Sequence, residues 1–209
     1  RFLLQVKGGI RFYRSARPEV LLVSSAAVER NQLIETEAQR EADIPIVRLN
    51  PRKLLNAKYL GEHLVRESGL NYAIVRPTGL KDSREEEAAP GGANANGAEA
   101  AAAAAAAEKE KEAKEEEEAP YCMELSQGDT LVGTITRDEL AGVVAYAASA
   151  AAATNATFEV TARAQPIRGL DADLVMRRQF ERLFPDARRT EVGMAPFPKP
   201  DDVDRGVAN

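Results

Sequence analysis

The stretch from Ser83 to Ala119 contains no large apolar side chain. It therefore cannot contribute to a hydrophobic core, and it splits the folding information of the chain into two blocks. It opens with Glu85-Glu86-Glu87, passes through Pro90-Gly91-Gly92 and an alanine tract ending at Ala107, and closes on alternating Glu and Lys running into Glu115 to Glu118. Eleven Glu stand there against Arg84, Lys109, Lys111 and Lys114, a net of −7 in a chain whose total is −5, so the remainder is nearly neutral at +2. Ala, Glu and Lys favour helix wherever one nucleates, but a helix with no apolar face has nothing to bury. The segment is expected to be a solvated excursion, an expanded surface loop rather than an acidic arm for a partner.

The 209 residues outside and inside that block are 44% apolar, enough for one ordinary core. The acidic balance, with a pI near 5.2, argues against a general nucleic-acid binder, which needs a basic face. One cysteine and one histidine exclude a disulfide framework and the usual zinc constellations. No apolar run approaches the roughly 20 residues that span a bilayer. The chain starts at Arg1, with no basic-then-apolar leader behind it, and is expected to be a piece of a longer protein.

On either side of the insert, strand and helix patterns alternate. Val20-Leu21-Leu22-Val23 is a continuous apolar run ending in Ser24-Ser25, as expected of a central parallel strand buried on both faces. Asn50-Pro51 offers an N-cap and a first-turn proline. Leu54, Ala57, Gly61 and Leu64 follow at helical spacing until Gly69. That phase points Leu64 toward the sheet and leaves Arg66 and Glu67 in solvent. Asn71 to Val75 is a second strand closed by Arg76-Pro77. Thr136-x-x-Glu139 is a capping box opening a helix to about Ala153, and Thr157 to Thr161 is a third strand. The alternation predicts an α/β fold with a parallel sheet. Phe2 to Val6 is a candidate strand. Leu174, Met176, Phe180, Leu183 and Phe184 suffice for one amphipathic helix, and Pro196, Pro198 and Pro200 predict an extended tail.

In such a sheet, ligands sit beyond the carboxyl ends of the strands. Ser24-Ser25 and Arg76-Pro77-Thr78-Gly79 should therefore share a face. Lys58, in the helix between those strands, is near enough to join them, although on spacing alone a surface lysine paired with Glu62 at i+4 is the better reading.

Taken in order, these pieces resemble the C-terminal half of the short-chain dehydrogenase/reductase superfamily. The nearest likeness is its atypical NAD(P)-binding group, which includes NmrA-like proteins. The resemblance runs through Val20-Leu-Leu-Val-Ser-Ser-Ala-Ala-Val28 and then from Asn56-Ala-Lys58-Tyr-Leu-Gly-Glu62 to Ile74-Val-Arg-Pro77. It resumes after the insert in Gln127-Gly-Asp-Thr-Leu-Val-Gly-Thr-Ile-Thr-Arg-Asp-Glu-Leu-Ala141 and ends near Thr157-Phe-Glu-Val160. It implies a partial Rossmann-like domain over residues 1–82 and 120–165, interrupted by the insert at 83–119 and followed by a C-terminal helix and tail over 166–209. Within the group the chain is most similar to plant, algal and cyanobacterial members linked to thylakoid photosystem biogenesis. This implies a chloroplast location, in the stroma or on the thylakoid surface, and membrane-protein assembly partners.

The resemblance also assigns roles. Ser25 matches the family's active-site serine, which hydrogen-bonds a substrate carbonyl or hydroxyl. Lys58 matches the lysine that binds the nicotinamide ribose of NAD or NADP. Ser24, Pro77, Thr78 and Gly79 match positions around the nicotinamide end of the cofactor. The family's catalytic tyrosine stands four residues before the lysine, where this chain has Leu54. Tyr59 lies about 100° round the helix from Lys58 and is no substitute. General acid–base assistance of about 10²–10⁴-fold is thereby missing. The glycine-rich turn that cradles a pyrophosphate has no counterpart, Gly8-Gly9 being only a pair, as expected if the first half of the fold lies outside this chain. Three readings follow: a dinucleotide-binding module without standard reductase activity, a reductase or isomerase whose proton donor comes from elsewhere, and a structural domain that no longer binds nucleotide. His63, the Asn155-Ala156-Thr157 sequon and the lone thiol of Cys122 carry no assigned role.

Overall fold

The computed structural model describes residues 2–6, 9–13, 17–82, 121–166 and 171–199. The acidic insert and the end of the tail lie outside these residues.

A four-stranded sheet organises the molecule. Three parallel strands, β3 (Val20–Val23), β4 (Tyr72–Pro77) and β8 (Ala156–Pro166), lie side by side, with Val20 opposite Tyr72 and Ala73 opposite Ala156. β6 (Tyr121–Ser126) adds antiparallel to the outer edge of β8. All six residues of β4 are buried, as befits a strand flanked on both sides. The apolar run of β3, expected to be central and buried on both faces, instead lies at the edge of this sheet and is only half-buried, with Val23 46% exposed. A short parallel pair, β5 (Gly79–Lys81) with β7 (Thr134–Thr136), sits beyond the end of β4. β1 (Phe2–Val6) and β2 (Gly9–Tyr13) form a separate antiparallel hairpin. The Phe2 strand exists, but it pairs outside the main sheet.

Helices cover both faces. On one, α5 (Arg137–Ser149) and α6 (Ala172–Phe180) press Leu140, Val143, Ala147 and Phe180 onto Ala73, Val75, Phe158 and Val160. Phe180 meets Phe158 edge-on, with ring centroids 5.5 Å apart. The predicted capping box starts α5: the Thr136 hydroxyl accepts from Glu139 N, and the Glu139 carboxylate accepts from Thr136 N. The helix ends at Ser149, four residues earlier than expected. The other face carries α1 (Val28–Gln32) and α4 (Leu54–Glu67), with α2 (Glu37–Ala42) and α3 (Pro45–Leu49) between them in sequence; Val28, Val47, Leu55 and Tyr59 form its apolar part. This is a mixed, mostly parallel, two-sided α/β layout of the Rossmann-like type.

Two expectations about α4 fail, for one physical reason. Strand residues alternate between faces, so Ile74 and Arg76 of β4 and their register partners Thr157 and Glu159 of β8 point away from the α5 side. That inner face is largely polar, and the helix meets it with a matching stripe: Leu55, Tyr59, Glu62 and Arg66. Leu64 is 62% exposed and Leu54 44% exposed, whereas Glu62 is fully buried. Arg66, expected in solvent, is inside. A reading based on apolar spacing selects the wrong phase when the buried face is charged. The start of the helix also differs: Pro51–Lys53 is a 3₁₀ turn, and Asn50 Oδ1 reaches across it to accept from Leu55 N at 3.0 Å.

Candidate functional site

The buried face resolves into an alternating chain of ions. Arg76 grips Glu62 with two parallel bonds, Nε to Oε1 at 3.0 Å and Nη2 to Oε2 at 2.7 Å, and donates from Nη1 to Glu29 at 2.9 Å. Glu29 accepts a second bond from Arg189. Glu62 Oε2 also accepts from Arg66 Nη2 at 2.8 Å, and Arg66 continues to Asp186 at 3.4 Å. Asp186 is held in turn by Thr157 and by the Tyr72 hydroxyl. Burial alone would push the Glu62 carboxyl up, but the hydrogen bonds and charge of Arg76, with Arg66 behind, hold it below the usual carboxylate range. The bidentate geometry makes this a directional lock between helix and sheet.

A second polar cluster shapes the neighbouring loop. Glu159 of β8 accepts the backbone N–H groups of Asp129, Thr130 and Leu131. Asp129, in a left-handed conformation, accepts from Ala27 N at 2.5 Å and Arg30 N at 2.7 Å at the start of α1. Burial, with the Asp129 charge beside it, raises the Glu159 carboxyl despite those backbone donors. The loop that follows, Leu131-Val132-Gly133, is thereby fixed over the strand ends.

That loop closes a cavity of about 470 Å³ at the carboxyl ends of β3 and β4. Ser24, Ser25, Lys58, Pro77, Thr78 and Gly79 all line it, so the structure brings together every site residue expected from the sequence. The opposite wall is apolar, made by Ile44-Pro45-Ile46, Leu80, Leu131 and Val132. The strand ends are knitted by backbone bonds from Ser24 N to Val75 O, Ala26 N to Pro77 O, Thr78 N to Val160 O and Gly79 N to Gly133 O, all within 3.0 Å. Thr78 is further fixed through its hydroxyl to Thr161 at 3.0 Å. Gly133 needs its missing side chain: its φ is +153°, and a Cβ there would lie 2.5 Å from Thr161 Oγ1.

Lys58 reaches the cavity from α4 and donates from Nζ to the Ser24 carbonyl at 2.9 Å. The expected pairing with Glu62 is not made, because both oxygens of that carboxylate serve Arg76 and Arg66. Burial lowers the Lys58 amine from its ordinary range, and the Glu62 charge opposes this. Leu54, one turn earlier, supplies no proton and does not line the cavity. Tyr59 turns the other way and donates to the Pro198 carbonyl; burial is the main cause of its hydroxyl being pushed up to about 12.

The apolar wall and the Glu159 and Asp129 anchors were missed from the sequence. Ile44 to Ile46 has no periodic signal, and the loop at 127–133 announces itself only through Gln127-Gly128-Asp129 as a turn. The sequon asparagine is structural: Asn155 Oδ1 accepts from Tyr72 N at 3.1 Å. Among the described residues no His, Cys, Asp and Glu group is placed to hold a metal ion, and no helix is long and apolar enough to cross a membrane.

The donors fit one end of a dinucleotide. An amine suited to a ribose diol, a serine and the Pro77–Gly79 turn, whose Thr78 and Gly79 N–H groups are already bonded to the Val160 and Gly133 carbonyls, stand around one space. The pyrophosphate end has no cradle among the described residues. Gly9 opens a strand of the β1–β2 hairpin, and the start of α1 is already occupied by the Asp129 carboxylate.

No protein-family model and no curated protein matches the chain. Among solved structures it is similar to a protein described as an NAD-dependent epimerase/dehydratase from Bacillus halodurans, with 21% identity over 75% of this chain and 50% of that one and a TM-score of 0.42. It is also similar to an oxidoreductase from Lactococcus lactis, at 10% identity over 77% and 49% with a TM-score of 0.45. A third is a short-chain dehydrogenase/reductase of wide type from Veillonella parvula in complex with NADP, at 16% identity over 72% and 53% with a TM-score of 0.40. The chain spans about half the length of the solved structures it matches.

Proposed function

We propose that this chain is the nicotinamide-side half of an NAD(P)-binding protein that holds its cofactor without carrying out standard carbonyl reduction. The observation that carries this reading is that one cavity is lined by Ser24, Ser25, Lys58 and Pro77-Thr78-Gly79 together, with Leu54 one turn before the lysine. In it, Lys58 Nζ, steadied by the Ser24 carbonyl, donates to the ribose hydroxyls. The Pro77–Gly79 turn, its N–H groups bonded within the fold, would form the wall beside the carboxamide end, and Ser25 would orient a carbonyl or hydroxyl of a second ligand. A bound dinucleotide supplies hydride-transfer chemistry. The chain's own residues bind, orient and exclude water, but no side chain at position 54 gives or takes the proton that such a transfer requires. The function that remains is cofactor-responsive binding. The chain's resemblance, within the atypical NAD(P)-binding group, to plant, algal and cyanobacterial members supports a role in membrane-protein assembly in the chloroplast, and a fluorescent fusion of the full-length protein tests the location.

Calorimetric titration with NADP⁺ and NAD⁺ tests the binding itself. Lys58→Ala should weaken binding by about 10- to 150-fold, since a charge-assisted hydrogen bond is worth about 1.5–3 kcal/mol. Wild type should bind but turn over model aldehydes slowly or not at all. Leu54→Tyr places a phenol one turn before Lys58, on the same side of the helix, and should gain weak cofactor oxidation. Robust wild-type turnover that survives Ser25→Ala would overturn the proposal, as would the absence of any binding to the full-length protein.

A further inference from the structure

The cavity sets a primary amine against an apolar wall. Among the described residues, Lys58 Nζ has one hydrogen-bond partner, the neutral carbonyl of Ser24. The carboxylate one turn further on is committed elsewhere, Glu62 Oε1 to Arg76 and Oε2 to Arg76 and Arg66. The amine thus enters the cavity without a direct ion-pair partner, facing Ile44, Ile46, Leu80 and Leu131. Leu80 and Val132 are 46% and 66% exposed, so the apolar wall continues to the rim, where an apolar molecule would enter. Desolvation is what turns a lysine from a solvated cation into a nucleophile, and burial here lowers its affinity for the proton.

We propose that Lys58 is a nucleophilic amine that condenses with an apolar aldehyde or ketone seated in this cavity to form an imine. The amine lone pair forms the new N–C bond while the carbonyl π pair moves to oxygen. The two amine hydrogens then leave with that oxygen as water, and the C=N bond closes. No oxidant or reductant is consumed, and water reverses the step. The reaction does not depend on dinucleotide binding. The two ligands share the cavity and therefore compete.

The test uses the 209-residue chain at neutral pH, incubated with hexanal or, in parallel, with glyceraldehyde. Cyanoborohydride traps any imine, and peptide mass mapping locates it. With hexanal, Lys58 should be alkylated at least about tenfold ahead of the exposed Lys53 and Lys199, because burying two or more methylenes of the alkyl chain against the cavity's apolar wall is worth about a factor of ten. With glyceraldehyde that preference should shrink, since the apolar wall then contributes nothing. Lys58→Arg should lose the site-specific adduct while other lysines label as before. Even labelling of all lysines by hexanal, an unlabelled Lys58, or equal preference with the two aldehydes would overturn the proposal. Titration of the unlabelled full-length protein with NADP⁺ separates the two readings: labelling without dinucleotide binding upholds the imine and removes the cofactor site, and binding without labelling does the reverse.

Discussion

Arg76 is 1% exposed, and a guanidinium in that position must be answered by carboxylates or it would not be tolerated. Its two partners set the strongest residue-level expectations. Glu62→Gln removes the charge from the bidentate grip and leaves Arg76 under-compensated, so unfolding free energy in urea should fall by about 3–5 kcal/mol. The pH dependence has a definite sign. Glu62 sits below its usual value when folded, so its contribution is present above the ordinary glutamate pKa of about 4.3 and is lost as pH falls through the depressed folded value. The stability gap between wild type and Glu62→Gln should therefore be flat near neutrality and close in acid. Glu159 runs the other way: raised when folded, its contribution is present below the ordinary glutamate value and lost as pH rises through the folded one. The two residues that apolar spacing misassigned give the contrasting pair. Leu64→Ala, at an exposed site, should stay within about 0.5 kcal/mol. Arg66→Ala strips partners from Glu62 and Asp186 and should cost about 3 kcal/mol or more.

Among the elements, the loop between β6 and β7 has the tightest tolerance. Gly133→Ala puts a methyl group against Thr161 Oγ1 in a backbone conformation that L residues rarely adopt. Thr161 is buried in β8 and tied to Thr78, so the loop must move instead. A loss of about 1–3 kcal/mol in a thermal or urea melt is expected, with weakened dinucleotide binding because Gly133 lines the cavity; an unchanged melt would mean that the loop packs elsewhere. The elements that were legible in the sequence are those whose local chemistry is self-sufficient: the strands β3 and β4, though not the edge position of β3, and the Thr136–Glu139 capping box. The strand ends made Ser24, Ser25 and Pro77 to Gly79 visible as neighbours for the same reason. What stayed hidden depends on distant partners. The five- and six-residue helices α1 to α3 are too short to show a period, β5 and β7 are three residues each, and the cavity's apolar wall is assembled only when Glu159 and Asp129 hold the 129–133 loop against α1.

At the scale of the whole molecule, the C-terminal segment is part of the folded body rather than an appendage. Asp186 reaches Thr157 of β8 and the Tyr72 hydroxyl of β4, and Arg189 closes the ion chain at Glu29. The proline-rich tail then covers it: the Phe197 ring lies 3.7 Å from the Arg66 guanidinium and 3.9 Å from that of Arg189, while Tyr59 donates to the Pro198 carbonyl. Residues 194–199 carry no regular structure, and proline spacing says nothing about what one aromatic residue among the prolines will stack on. An aromatic face over a partly desolvated guanidinium contributes about 0.5–2 kcal/mol, and Phe197 serves two. Phe197→Ala should therefore lower unfolding free energy by about 2 kcal/mol. Phe197→Leu, which keeps apolar cover but loses the ring quadrupole, should recover only part of that loss. The same substitution placed on an Arg66→Ala background should cost less than it does alone, because the two residues act through one contact. Full additivity of the pair in urea denaturation would show that the tail does not rest on α4.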